Sequence, residues 1–268
     1  MARITVEGER SIYYEQYEGR GLPVILIHGW GMSCRVWDTT LVSLREAGHA
    51  VLTFDQRGCG QSDKDFDENS IEASAGDVVK LAKHLGLSRA VVNGWSLGGA
   101  IAVAAAARLG STCAGVVLTV GASPRYTHAP DFPHGGPPGS TAQTVALLRA
   151  DRANFLWNLT KAVCAMPQSP AVENWLWGIF MQASPGADAA LAGLDTLDQR
   201  GILAELRVPL LSVVGGKDAV VPPEIGRAAA KLAPRGRVAE FENCGHAPFL
   251  EDGPRYRATL LEFLGALE

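Results

Sequence analysis

The sequence has no C-x-x-C pair. Its five cysteines, at 34, 59, 113, 164 and 244, are odd in number and scattered. That spacing suggests neither a disulfide framework nor a zinc site, and it fits a reducing cytoplasm. Charge of one sign is also lacking: 24 basic against 28 acidic residues leave a formal charge of −4. Such a balance argues against a nucleic-acid or anionic-membrane partner. The opening residues 1–7 have no apolar stretch of the kind a secretory signal needs. One uncharged run, between Arg89 and Arg108, has about the length of a membrane span. Asn93, Ser96 and three glycines in its middle speak against a span, because polar groups at mid-membrane are costly. No internal repeat is visible.

With 47% hydrophobic and 19% charged residues over 268 positions, the chain can bury one large core, or one core plus a subdomain. The most informative stretch is Val91-Val92-Asn93-Gly94-Trp95-Ser96-Leu97-Gly98-Gly99-Ala100. An apolar strand, 90–93, runs through G-x-S-x-G into the helix formers of 100–107. A sharp strand-to-helix turn there forces the serine into strained dihedrals and needs small neighbours. It lifts the Ser96 hydroxyl above the sheet edge and aims the Leu97 amide, at a helix N-terminus, at a developing oxyanion. Glycine is common in this chain (30 residues), so the pentapeptide needs partners before it means catalysis.

The remaining pattern supplies them in order. Strands are expected at 4–7 and 12–17, joined as a hairpin, then at 23–27 and 50–54. Further strands follow at 90–93, 116–120, 208–214 and 238–241. Helices near 36–44, 71–85, 100–107, 225–233 and 254–267 alternate with them, the signature of a doubly wound α/β sheet. Asp55-Gln56-Arg57-Gly58-Cys59-Gly60 is expected as a tight surface loop; the third glycine of a dinucleotide fingerprint would fall at Asp63, so that reading fails. Residues 123–205 contain no convincing buried strand. They read as a helical lid between the two core pieces, 1–122 and 206–268. Its helices run from an N-cap at Ser140 through Val163, from Ser169-Pro170 to Phe180, and over 187–197.

Asp218 and His246 each follow a late strand, so both belong to the sheet edge that carries Ser96. Serine needs a base of near-neutral pKa, which histidine supplies, and a carboxylate fixes that histidine's tautomer. Asp195 and Asp198 are rival acids, placed at the lid's exit rather than after a core strand. The second oxyanion donor is expected from the Trp30 amide, with the indole either walling the acyl pocket or packing in the core. His28 reads as a brace for its loop. His49, His84, His128 and His134 read as solvent-facing, and Cys244 as a packing residue. Trp157, Trp175, Trp177 and Phe180 offer the lid apolar surface, as pocket wall or as lid core, and Trp157 is assigned to the substrate together with Trp30.

His28-Gly29-Trp30-Gly31, Gly94-Trp95-Ser96-Leu97-Gly98-Gly99, Gly215-Gly216-Lys217-Asp218 and Gly245-His246-Ala247-Pro248-Phe249 resemble the α/β-hydrolase superfamily across the whole chain. The tryptophan-containing versions are similar to the pimeloyl-acyl-carrier-protein methyl ester esterases of biotin synthesis and to related small carboxylesterases. The resemblance implies an α/β-hydrolase fold, with a mostly parallel eight-stranded sheet, helices on both faces and an α-helical lid insertion. It implies a cofactor-free serine esterase acting on methyl or short-to-medium acyl esters. A carrier protein is a second implied partner, met through lid cations such as Arg149, Arg152 and Lys161. The loop 55–60 instead looks like that of proline iminopeptidases, which leaves peptide hydrolysis as an alternative; lactone hydrolysis and a silent ligand receptor are the others. Nothing in the sequence speaks to oligomeric state.

Overall fold

β1 (Ala2–Glu7) and β2 (Arg10–Tyr17) pair as an antiparallel hairpin around Gly8, whose positive φ makes the turn. In this computed structural model, which describes residues 2–267, that hairpin forms the edge of an eight-stranded sheet. The continuous apolar runs become its buried interior: β3 (Gly21–Ile27), β4 (His49–Phe54), β5 (Ala90–Trp95), β6 (Cys113–Thr119) and β7 (Leu210–Gly215). β8 (Gly236–Phe241) closes the far edge. The spatial order is β1-β2-β4-β3-β5-β6-β7-β8, antiparallel through the β2–β4 pair and parallel beyond it.

Helices cover both faces because these strands are apolar on both sides. One face carries α2 (Ile71–His84), α3 (Leu97–Leu109), α8 (Arg200–Ala204) and α9 (Pro223–Leu232), which pack in sequence against one another. α1 (Asp38–Glu46) meets α11 (Gly253–Gly265), to which the short α10 (Pro248–Glu251) is joined. Chain order reverses around β3, whose neighbours are β4 and β5. The crevice at the strands' C-terminal ends there is where such sheets hold ligands.

Between β6 and β7 lie α4 (Ser140–Ala150), α5 (Arg152–Ala162), α6 (Pro170–Phe180) and α7 (Asp188–Gly193), then α8. The helix expected from Ser140 to Val163 is two helices. Asp151 breaks it with φ −154° and ψ 79°, and its side chain caps α5 by accepting from the Asn154 amide at 3.3 Å. Ser140 is the first residue of α4 rather than its cap, and Gly139 takes the cap position. The outermost residues of the expected core pieces, Met1 and Glu268, lie outside the described residues. No helix among the described residues is long and apolar enough to cross a membrane.

The loop after β4 departs most from expectation, since residues 55–59 are buried. Arg57 is the reason. It donates two parallel hydrogen bonds to Asp77, at 2.6 and 2.9 Å, and a third to Glu7 at 2.6 Å. The segment after α6 covers this loop, with the Ser184 amide donating to the Gly58 carbonyl at 2.8 Å. His49 is also buried, with its Nδ1 3.0 Å from the Leu22 carbonyl.

Candidate active site

The strand β5 ends and α3 begins at Ser96, whose φ of 56° and ψ of −122° no helix or strand shares. A non-glycine residue in that region is strained, and the surroundings hold it there. Its amide donates to the Thr119 carbonyl at 3.1 Å, and its own carbonyl accepts from Gly99 (2.8 Å) and Ala122 (2.9 Å). The flanking glycines are dictated by contact. A Cβ on Gly94 would collide with the Gly98 carbonyl, and one on Gly98 with the carbonyls of Ile27 and His28. Leu97 opens α3, so its N–H has no partner within the helix.

The loop after β3 lies beside this turn because Ile27 and Gly94 are register partners. It is braced from the loop after β4. The Gln56 amide donates to His28 Nε2 at 2.9 Å, and the Gln56 side chain donates to the His28 carbonyl at 2.5 Å. Burial holds the His28 imidazole below its ordinary pKa, with Asp55 opposing more weakly. Asp55 accepts the amides of Cys34 and Gln61, both at 2.7 Å, so one carboxylate ties the two loops together. The Trp30 indole donates to the Ala187 carbonyl at 3.1 Å and faces Phe180.

The loops after β7 and β8 are stitched by amides. Gly216 donates to the Phe241 carbonyl (2.9 Å) and Lys217 to the Cys244 carbonyl (2.9 Å). This brings Asp218 Oδ2 within 2.7 Å of His246 Nδ1. Asp218 Oδ1 accepts the amides of Val220 and Val221 at 2.8 and 2.9 Å, so the carboxylate is fixed at both oxygens. A carboxylate only accepts, so Nδ1 carries the proton and the neutral ring's Nε2 keeps a lone pair. The backbone of His246 is held as well. Its N–H donates to the Val163 carbonyl at 2.7 Å, and its carbonyl accepts from the Trp95 indole at 2.7 Å.

Ser96, His246, Trp30 and Leu97 line one cavity of about 80 Å³. Its walls are apolar: Phe155, Leu159 and Val163 along one face of α5 and its end, Phe180 from α6, and Leu191 and Leu194 around α7. Tyr126 and Thr144 also line it. The Tyr126 hydroxyl donates to the Val220 carbonyl at 2.9 Å, and burial together with the Asp218 charge raises its pKa.

Trp157, assigned to the substrate from sequence, does not line this cavity. It stands edge-on to Trp177, with rings 6.0 Å apart, beneath the Lys161 ammonium. Two residues along a helix turn a side chain to nearly the opposite face, so the stripe at 155, 159 and 163 was the signal to follow. Asp195 and Asp198 are engaged elsewhere. Asp195 accepts the Gly139 amide, and Asp198 pairs with Arg125 and Arg200. Cys244 is buried, and burial pushes its thiol up to about 11. His84 and His128 are exposed, while His134 is half-buried against Phe132. Sequence reasoning missed the Trp95 contact to His246, which only the packed loops reveal. Among the described residues no three or more His, Cys, Asp or Glu side chains cluster as metal ligands.

Comparison with known proteins agrees with this architecture. Residues 23–253 match the family model described as alpha/beta hydrolase fold. The AB hydrolase superfamily protein YisY of Bacillus subtilis is 29% identical over 262 residues, 97% of each chain. A pimeloyl-[acyl-carrier protein] methyl ester esterase of Methylococcus capsulatus is 32% identical over 257 residues, 92% of this chain and 96% of that one. Among solved structures, an esterase from Exiguobacterium antarcticum superposes with a TM-score of 0.92 at 25% identity, covering 96% of both chains. A serine on a strained strand-to-helix turn, a mostly parallel eight-stranded sheet and a family match across most of its length make this chain a member of the alpha/beta hydrolase fold family.

Proposed function

We propose that the protein is a serine carboxylesterase that cleaves short-acyl esters through an acyl-enzyme. The observation that carries this reading is the Asp218–His246 contact of 2.7 Å, opening onto the same cavity as the strained Ser96. As the Ser96 hydroxyl attacks the ester carbonyl carbon, His246 Nε2 takes its proton. The oxyanion is held by the N–H groups of Leu97 and Trp30. Collapse breaks the carbon–oxygen bond to the leaving alcohol, which receives the proton from His246. Water, deprotonated by the same imidazole, then attacks the acyl group and returns Ser96 with its proton. Asp218 stabilises the imidazolium in both halves.

Residues 123–205 act as the lid over this site, and α5, α6 and α7 set the acyl specificity. A cavity of about 80 Å³ is small beside the roughly 300–1,000 Å³ typical of ligand pockets, which favours short acyl groups. An iminopeptidase would need a carboxylate for the substrate amine, and among the described residues none lining the cavity is acidic. A silent receptor would have no use for a strained, activated serine. The carrier-protein partner has weaker support, since Arg152 is engaged by Asp188, leaving Arg149 and Lys161 at the surface. Five free thiols fit a cytoplasmic setting. Turnover of p-nitrophenyl butyrate tests the reading. Ser96→Ala is expected to lose on the order of 10³-fold or more in kcat, and unchanged turnover would end it.

A further inference from the structure

One half-buried carboxylate outside the proposed relay touches both the His246 loop and the helical segment above it. Glu251, the last residue of α10, accepts the Gly245 amide on Oε1 at 2.7 Å. Its Oε2 accepts the amides of Ala165 and Met166 at 2.7 and 3.0 Å. Gly245 immediately precedes His246, and Ala165 and Met166 follow the end of α5. The two segments also join directly, through the His246 amide and the Val163 carbonyl at 2.7 Å. They pack so closely that a Cβ on Gly245 would lie 2.6 Å from the Ala165 nitrogen. Val163, Leu159 and Phe155, which wall the cavity, belong to this same piece of chain.

We propose that Glu251 is a positioning residue that locks the loop bearing His246 to the turn after α5, so that one carboxylate sets both the base and the acyl-pocket wall. It touches no reacting atom and acts through the backbone of residues 245–246 and 163–166. Three charge-assisted bonds from amides on two segments make a stiff clamp. A carboxamide keeps the reach but only one accepting atom, and Asp is one carbon too short to reach both sides.

The proposal rests on the esterase reading, and its test separates the two. Ser96→Ala first establishes that wild-type turnover of p-nitrophenyl acetate and butyrate depends on Ser96. Glu251→Ala and Glu251→Asp are then expected to lower kcat by about 10- to 100-fold, the scale of an ångström-sized misplacement. Glu251→Gln should fall between them and the wild type, and the butyrate-to-acetate preference should change in all three. Hydrogen exchange, independent of activity, should speed up at Gly245 and His246 together with Ala165 and Met166. A Glu251→Ala protein that melts lower but keeps kcat and acyl preference within twofold would overturn the proposal. So would faster exchange confined to one of the two segments. Should Glu251→Ala fail to fold, the Gln and Asp variants decide by the same readouts. Turnover that survives Ser96→Ala would sink the esterase reading alone, leaving the exchange data to judge the clamp.

Discussion

A methyl group added at Gly99 would strain the turn that holds Ser96 without touching a reacting atom. Its Cβ would lie 2.6 Å from the Gly121 Cα, whereas carbon atoms in contact sit about 3.5–4.0 Å apart. α3 and the chain at Gly121 must therefore separate by roughly 1 Å. Both ends of that gap hold the serine, because the Gly99 and Ala122 amides donate to the same Ser96 carbonyl. Parting them pulls Ser96 off its position relative to His246. An ångström of misplacement costs about 10²-fold in rate, and overpacking costs about 1–3 kcal/mol of stability. For a chain of this size each kcal/mol lowers Tm by about 2–4 °C. Gly99→Ala should thus remain folded at 25 °C, melt several degrees lower and lose about 10²-fold in kcat/KM for p-nitrophenyl butyrate. Gly178→Ala in α6 is the control. Its Cβ meets nothing within 4 Å, so helix propensity should stabilise it by about 0.4–1 kcal/mol with activity unchanged. A Gly99→Ala enzyme within threefold of wild type would refute the argument.

Two further outcomes concern stability. Asp77→Ala leaves the Arg57 guanidinium, 6% exposed, without its bidentate partner and with only Glu7 and the Glu68 carbonyl remaining. Breaking a buried pair costs about 3–5 kcal/mol, so calorimetry should show Tm lowered by roughly 6–20 °C. His28 sets a pH dependence. Its folded-state pKa is depressed by burial, so below about pH 6.5 the unfolded chain binds a proton that the folded one refuses. Stability should therefore drop as the pH is lowered below that value, by up to about 1.4 kcal/mol per unit for this one group. Urea midpoints at pH 7 and 5.5 should differ less in His28→Gln than in wild type, and equal differences would count against it.

Much of this architecture could be read from residues. The apolar runs at 23–27, 90–93 and, except for Val120, 116–120 became buried parallel strands, and the alternation of strands and helices placed Ser96, Asp218 and His246 at one sheet edge. Glycines at 94 and 98 were legible because only contact explains them at such a turn. What escaped reading depends on partners far along the chain. Arg57 looks like a surface cation until Asp77 and Glu7 fold around it. Trp157 offers apolar surface in the sequence, whereas helix geometry hands the cavity to Phe155 and Leu159. Asp151 interrupts a hydrophobic period that continues across it, so periodicity alone joins two helices into one. Glu251 carries no motif of its own, and its three amide partners sit on two separate segments.

The central claim is that His246, oriented by Asp218, activates the Ser96 hydroxyl. Labelling with a fluorophosphonate, followed by peptide mapping in the mass spectrometer, tests it without assuming any substrate. One phosphonyl group per chain is expected on the peptide containing Ser96, absent in Ser96→Ala and formed on the order of 10³-fold more slowly in His246→Ala. Label on another residue, or equal labelling rates with and without the His246 imidazole, would contradict it.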